Sequence, residues 1–209
     1  MSATPVIRIL SADDHPLLRS GIAALIATQP DMRLVAEAAT GSEAVQRYRE
    51  LSPDVTLMDL RMPGMSGLDA IIAIRSAAPA ARVIVLTTYS GDVLAKRALQ
   101  AGAQAYVLKS LVRTEMLNTI RMVHAGEKQV HAEVAAEIAK HTGDASLTPR
   151  EVQVLQLVAS GCANKAISAT LEINEETTKT HLKNILAKLG ARDRTHAVTL
   201  GLKRGIIAL

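Results

Sequence analysis

Tryptophan and phenylalanine are absent from the 209 residues, and the aromatic complement is Tyr48, Tyr89 and Tyr106. An aromatic cage, or a platform on which single-stranded bases stack, has almost nothing to be built from. The only cysteine is Cys162, so a disulfide framework is not supported. Met1 to Arg8 lacks the apolar core and small-residue cleavage site of a secretory leader. No stretch approaches the roughly 18 consecutive apolar residues of a membrane span, and a cytoplasmic chain without membrane contact is expected. What remains is an ordinary globular composition, 48% apolar and 21% charged. The length exceeds what one small core needs, which favours two compact units.

Charge divides the chain. Residues 1–147 balance 15 Lys and Arg against 15 Asp and Glu, whereas residues 148–209 carry 9 against 5, so the whole net charge of +4 lies in the last 62 residues. A small basic unit is what a polyanion partner requires, because Lys and Arg release counterions when they neutralise phosphates. Many solvated surfaces are also basic, so charge alone does not decide.

Between residues 6 and 109, short apolar runs alternate with helical patterns. Val6–Leu10, Leu34–Ala36, Val55–Met58, Val83–Leu86 and Ala105–Leu108 read as strands covered on both faces. Leu17–Gln29, Ser42–Leu51, Leu68–Ala77, Val93–Ala101 and Leu111–Ala125 read as helices, with Leu18, Ile22, Leu25 and Ile26 marking one apolar face. The expectation is an α/β fold, a doubly wound five-stranded parallel (βα)5 sheet over residues 1–125, whose functional crevice lies at the carboxyl ends of its strands. Residues 126–147 lose the pattern and read as a linker with a short helix around Glu133–Lys140. Residues 148–209 show four helical patterns with short joints, a second, all-α domain.

Asp13 and Asp14 follow the first strand, Asp59 ends the third, Thr87 and Thr88 end the fourth, and Lys109 ends the fifth. Singly, a strand-end acid is a cap or turn residue and a lone lysine a solvated charge. Together they converge on one edge of the sheet. Three carboxylates there are costly unless a hard cation neutralises them, and an oxygen-only site suits Mg2+. A carboxylate can then take a phosphoryl group as an acyl phosphate while a metal and an ammonium bear the charge on its oxygens. His15 beside the acids is open between metal ligand and capping residue. Arg61 and Tyr89, two residues beyond Asp59 and Thr87, are open as influences on water reaching the acyl phosphate.

The runs Asp13-Asp14-His15-Pro16, Leu57–Gly67, Val85–Thr88 and Gly102–Lys109 resemble the receiver domain of two-component response regulators. The resemblance implies that Asp59 is the phosphoacceptor of a sensor histidine kinase. It implies that Asp13 and Asp14, with Asp59 and the backbone carbonyl of Arg61, hold Mg2+, and that Thr87 and Lys109 contact the phosphoryl oxygens. Thr87 and Tyr106 then form the switch that carries the change outward. Ser110 stands where many receivers have proline. An enzyme-class alternative is a magnesium phosphatase using Asp59 as nucleophile, but such enzymes need a second carboxylate two residues on, and Arg61 occupies that position. The chain is therefore expected not to be a turnover enzyme, only an acceptor that slowly dephosphorylates itself. A third reading is a regulator that works without phosphorylation, its receiver serving only as a dimer surface.

In the tail, Thr148-Pro149-Arg150-Glu151 is a helix start with a capping hydroxyl, an early proline and an early acid. Asn164–Leu171 and Glu175–Leu189, joined by Glu172-Ile173-Asn174, match a helix-turn-helix. Thr178, Leu182, Ile185, Leu186 and Leu189 make a buried stripe. Lys179, Thr180, Lys183 and Asn184 share an exposed strip suited to a major groove. Leu147–Glu151, Asn164–Ile167 and Thr177–Leu189 resemble the LuxR-type DNA-binding domain of the NarL/FixJ response regulators. That resemblance implies that Lys179, Thr180 and Lys183 approach bases. It makes Lys165, Thr177, His181, Asn184 and Lys188 candidates for backbone contacts or local support. Thr178, Ala163 and Ala166 depart from the family's valine, capping residue and glutamate, at an expected cost of about 1 kcal/mol each. The two resemblances imply a transcriptional response regulator that binds double-stranded promoter DNA, as a homodimer when phosphorylated.

Overall fold

Val83 to Leu86 and Val55 to Met58 are fully buried, and the β-branched and aliphatic residues of these runs form the middle of a parallel sheet. A computed structural model describes residues 6–88, 91–130, 132–141 and 145–207. Packing divides the described residues into two units, one falling within residues 1–88 and 95–135 and the other within residues 89–94 and 136–209.

In the first unit β1 (Ile7–Ala12), α1 (Pro16–Ala27), β2 (Met32–Ala38), α2 (Gly41–Leu51), β3 (Val55–Asp59), α3 (Gly67–Ala77) and β4 (Val83–Thr87) follow in order. After them come α4 (Asp92–Gln100), whose first three residues fall in the second unit, β5 (Ala105–Leu108), a 3-10 turn (Lys109–Leu111) and α5 (Val112–His124). With a short sixth strand, β6 (Gln129–Val130), the sheet order is β2-β1-β3-β4-β5-β6, every pair parallel, with the order reversing at β1 and β3. That reversal opens a crevice at the carboxyl ends of β1 and β3. Ile22 and Ile26 of α1 and Met116, Ile120 and Val123 of α5 bury one face of the sheet against Ile9, Leu57 and Ile84.

Two details differ from the sequence reading. A sixth strand, β6 (Gln129–Val130), pairs with Ala105 and Tyr106 of β5 inside the segment read as linker. Two residues are too few to show a periodicity of two, but their backbone groups satisfy an edge that would otherwise stay unpaired, as in the Gln129 amide donating to the Gln104 carbonyl at 2.9 Å. β2, read as covered on both faces, is an edge strand with Arg33 and Glu37 exposed.

A helix, α6 (Ala132–Lys140), lies in the segment read as linker. In the second unit α7 (Pro149–Ala159), α8 (Asn164–Leu171), α9 (Glu175–Leu189) and α10 (Arg194–Lys203) enclose a core of Val154, Leu155, Val158, Ile167, Ile185, Ala197 and Ile207. α7 begins with a full capping box in which the Thr148 hydroxyl accepts from the Glu151 amide and the Glu151 carboxylate accepts from the Thr148 amide. α8 ends at Glu172 in the left-handed region (φ 54°), and Asn174 caps α9 by accepting from the Thr177 amide at 2.7 Å, so the joint turns in three residues. Gly190, at φ 62°, stops α9.

Candidate functional site

Four strand ends build the crevice. β1 delivers Asp13 and Asp14, β3 ends on Asp59, β4 ends on Thr87, and β5 runs directly into Lys109. Asp13, Asp59 and Thr87 are buried. The Lys109 ammonium lies 2.7 Å from Asp59 Oδ2 and 2.7 Å from Asp13 Oδ2, one cation bridging two carboxylates. Burial pushes the Asp59 carboxyl up, and the Lys109 hydrogen bond and charge only partly offset this, so its pKa stays raised. Burial works against the Lys109 ammonium, yet hydrogen bonds to Asp13 and Asp59 outweigh it and raise its pKa. The Arg61 amide donates to Asp59 Oδ1 at 3.3 Å.

Tyr106 is fully buried on β5. Burial raises its phenol pKa far above the ordinary tyrosine range, against a hydrogen bond with the Thr87 side chain, and the Asp59 charge raises it further. Thr87, Tyr106 and Asp59 thus form one electrostatically connected set. Thr88 is exposed.

The donor set passes a direct test for a hard cation. Asp13 Oδ2 and Asp14 Oδ1 are buried carboxylate oxygens whose close polar neighbours are the Lys109 ammonium at 2.7 Å and the His15 ring at 2.6 Å, and ligand atoms of Asp13, Asp14, His15 and Asp59 lie within 4.8 Å of one another. Carboxylate oxygens in that arrangement fit Mg2+. The His15 ring is largely exposed, 2.6 Å from Asp14 Oδ1 and 3.1 Å from Asp13 Oδ1. Its amide donates to Asp13 Oδ1 at 2.9 Å, and it occupies the N-cap of α1 without a side-chain capping bond. Tyr89 lies outside the described residues.

Two supports of the crevice escaped the sequence reading. The Arg19 guanidinium donates to the Asp13 carbonyl at 2.6 Å from the first turns of α1, holding the β1 end. Gly67 opens α3 against the phosphoacceptor candidate: a Cβ there would stand 1.8 Å from the Asp59 carbonyl oxygen. The signal was present in the run Met62–Gly67, whose last glycine needs a reason beyond the turn at Gly64 (φ 72°).

In the second unit, Lys179, Thr180, Lys183 and Asn184 are exposed along α9, while Thr178 and Ile185 are buried on the opposite side. Lys165 is exposed on α8 and His181 is half-buried. Thr177 donates its hydroxyl to Asn174 at 2.7 Å as part of the cap. Lys188 reaches back to α7, its ammonium 2.7 Å from Glu151 Oε2. Thr178 is no loose polar group: its hydroxyl lies 3.1 Å from Ser168 Oγ, which itself donates to the Asn164 carbonyl at 2.7 Å. The buried hydroxyl pair joins α8 to α9.

Residues 9–121 match the response regulator receiver domain, and residues 145–200 match the bacterial regulatory proteins of the luxR family. The chain belongs to the response regulators that carry a receiver domain and a LuxR-type helix-turn-helix domain. It is 39% identical to the transcriptional regulatory protein LiaR of Bacillus subtilis, over 97% of this chain and all of that one. Among solved structures it is similar to the response regulator ChrA of a heme-sensing two-component system (32% identity, TM-score 0.58, 97% of this chain and 99% of that one). It is also similar to RcsB of Salmonella enterica serovar Typhimurium bound to promoter P1flhDC with a phosphomimetic (25% identity, TM-score 0.72, 95% of this chain and 98% of that one). Among the described residues no helix is long and apolar enough to cross a membrane. The protein is a transcriptional response regulator.

Proposed function

We propose that Asp59 accepts a phosphoryl group from a sensor histidine kinase and that this modification controls dimerisation and promoter binding by the C-terminal unit. The observation that carries the reading is the Lys109 ammonium set 2.7 Å from both Asp59 and Asp13. An Asp59 carboxylate oxygen attacks phosphorus as the bond to the kinase imidazole breaks, and the imidazole keeps the electron pair and takes a proton. Lys109 would hold the phosphoryl oxygens of the Asp59 acyl phosphate, and the Thr87 hydroxyl would supply a further donor at the end of β4. Asp13, Asp14, Asp59 and the Arg61 carbonyl would hold Mg2+, which neutralises phosphoryl charge when bound. Arg61 stands where a phosphatase would need its second carboxylate, which supports an acceptor with slow self-dephosphorylation over a turnover enzyme. Phosphorylation changes the charge beside Thr87 and Tyr106, the pair assigned the switch, and so biases a two-state receiver.

Lys179, Thr180 and Lys183 are assigned to base edges of double-stranded promoter DNA. Lys165, His181 and Asn184 are assigned to its backbone, while Thr177 and Lys188 support the fold through Asn174 and Glu151. The partners are a histidine kinase, a second copy of this chain and DNA, all in the cytoplasm. The test is treatment with an acyl-phosphate donor and Mg2+. The wild type is expected to gain one phosphoryl group by intact mass and to bind its operator more tightly in anisotropy, with Asp59→Asn doing neither. A wild type whose affinity and oligomeric state ignore the donor would remove the switch.

A further inference from the structure

At 100° per residue, Glu176, Thr180, Lys183 and Ala187 form one line along α9, opposite the buried Thr178 and Ile185. Glu176 heads that line in the first turn, and its side chain is 79% exposed. Its carboxylate accepts from the Lys179 ammonium at 2.8 Å, and its backbone carbonyl accepts from the Thr180 hydroxyl at 3.0 Å. Two of the residues assigned to base contacts are thus hydrogen-bonded to Glu176.

An exposed ion pair one turn apart adds little to stability, so the fold does not explain this acid. An acid in the first turn does complement the helix dipole, but Glu175 beside it already meets that need. A groove-reading helix inserts its N-terminal residues toward base edges, which carries Glu176 into the field of the phosphates. There a carboxylate weakens binding to any duplex unless it finds a donor. The major groove offers amino donors on cytosine and adenine. The adenine amino group lies beside the N7 acceptor, which repels a carboxylate. A G·C pair instead presents the cytosine amino group next to guanine O6 and N7, a donor for the acid and acceptors for an ammonium.

Resting on the DNA-reading assignment of α9, we propose that Glu176 is a specificity-determining residue that accepts from cytosine N4 while Lys179 donates to the paired guanine. The Glu176–Lys179 contact seen in the free protein is the pre-formed reader of that one base pair. Thr180, one turn on, reads the neighbouring step.

The experiment is selection of binding sites from random duplexes by the full-length, phosphodonor-treated chain as wild type, Glu176→Ala and Glu176→Gln. Wild type should fix cytosine at one position of each half-site. Glu176→Ala should lose about tenfold of discrimination at that position alone, while its affinity for unrelated duplex rises. Glu176→Gln should move the selected base toward adenine, whose amino group and N7 match an amide. The inference is overturned if all three proteins select the same bases, including the case in which both variants simply bind every duplex more tightly. A wild type that enriches no motif overturns the DNA-reading assignment, and this inference with it.

Discussion

The ammonium of Lys109 and the carboxylate of Asp59, 50 residues apart in the chain, meet at 2.7 Å because β3 and β5 flank β4 in one parallel sheet. Neither charge is placed by its own neighbours in sequence. Each is the first charged group at the end of an uncharged strand, and the sheet brings the ends to one rim.

Replacing Lys109 by Met leaves Asp13 and Asp59 facing each other with no protein cation between them. Removing one partner of a buried ion pair costs about 3 kcal/mol. The receiver should melt lower, and acyl-phosphate donors should label Asp59 far more slowly. Calorimetry and intact-mass time courses check the two effects separately, and an unchanged labelling rate would remove Lys109 from the phosphoryl site.

Gly67→Ala, at a buried position in the first turn of α3, should be severe for a one-methyl change, because the new Cβ would overlap the Asp59 carbonyl oxygen at 1.8 Å. Backbone shifts of that kind cost about 1–3 kcal/mol. The turn carrying Asp59 must move, so phosphorylation should fall together with the urea midpoint. Gly126→Ala, where no atom stands within 4 Å but φ is 94°, serves as a comparison that strains the backbone away from the crevice.

Burial pushes the Glu151 carboxyl up, but the Lys188 ammonium and the Thr148 hydrogen bonds more than offset it, and its pKa lies below the usual glutamate value. A depressed carboxylate pKa contributes stability that is present above the unfolded-state value and is lost as pH falls through the folded-state value. The C-terminal unit should therefore melt lower as pH drops below that of an ordinary glutamate. Glu151→Gln should flatten this acid limb and lower the plateau by about 1–3 kcal/mol, as for a buried charge-assisted bond. Melting curves from neutral to acid pH for both proteins decide it.

Ala163 holds the N-cap of α8 in extended backbone (φ −73°, ψ 160°) with no side-chain acceptor. Ala163→Ser should supply one and raise stability by about 1 kcal/mol. Thr178→Val should be close to neutral, because Ser168 keeps its bond to Asn164 when the Thr178 hydroxyl is removed. Chemical denaturation of the two variants measures both, and a large loss in Thr178→Val would show that the hydroxyl pair matters more than its geometry indicates.

The departures at Ala163 and Thr178 show where reading a chain residue by residue stops. That α8 lacks a cap was legible, since alanine has no acceptor. That the buried Thr178 hydroxyl finds a partner was not, because Ser168 lies on another helix. Lys188 reads in the sequence as a candidate for backbone contact or local support, and its ion pair with Glu151 on α7 spans helices that no local window joins.

By itself the sequence determined the elements and their order, because the alternation of apolar runs and helical faces is a local property written in spacings of two and 3.6 residues. Strand ends bearing Asp13, Asp59, Thr87 and Lys109 followed from where those runs stop. Only the tertiary structure decided which charges touch: the double grip of Lys109, the wedge at Gly67, the two-residue edge strand β6, and the split between lysines along α9 that face outward and the one that turns back. Contacts between side chains far apart in the chain depend on register and packing angle. No window of sequence contains them.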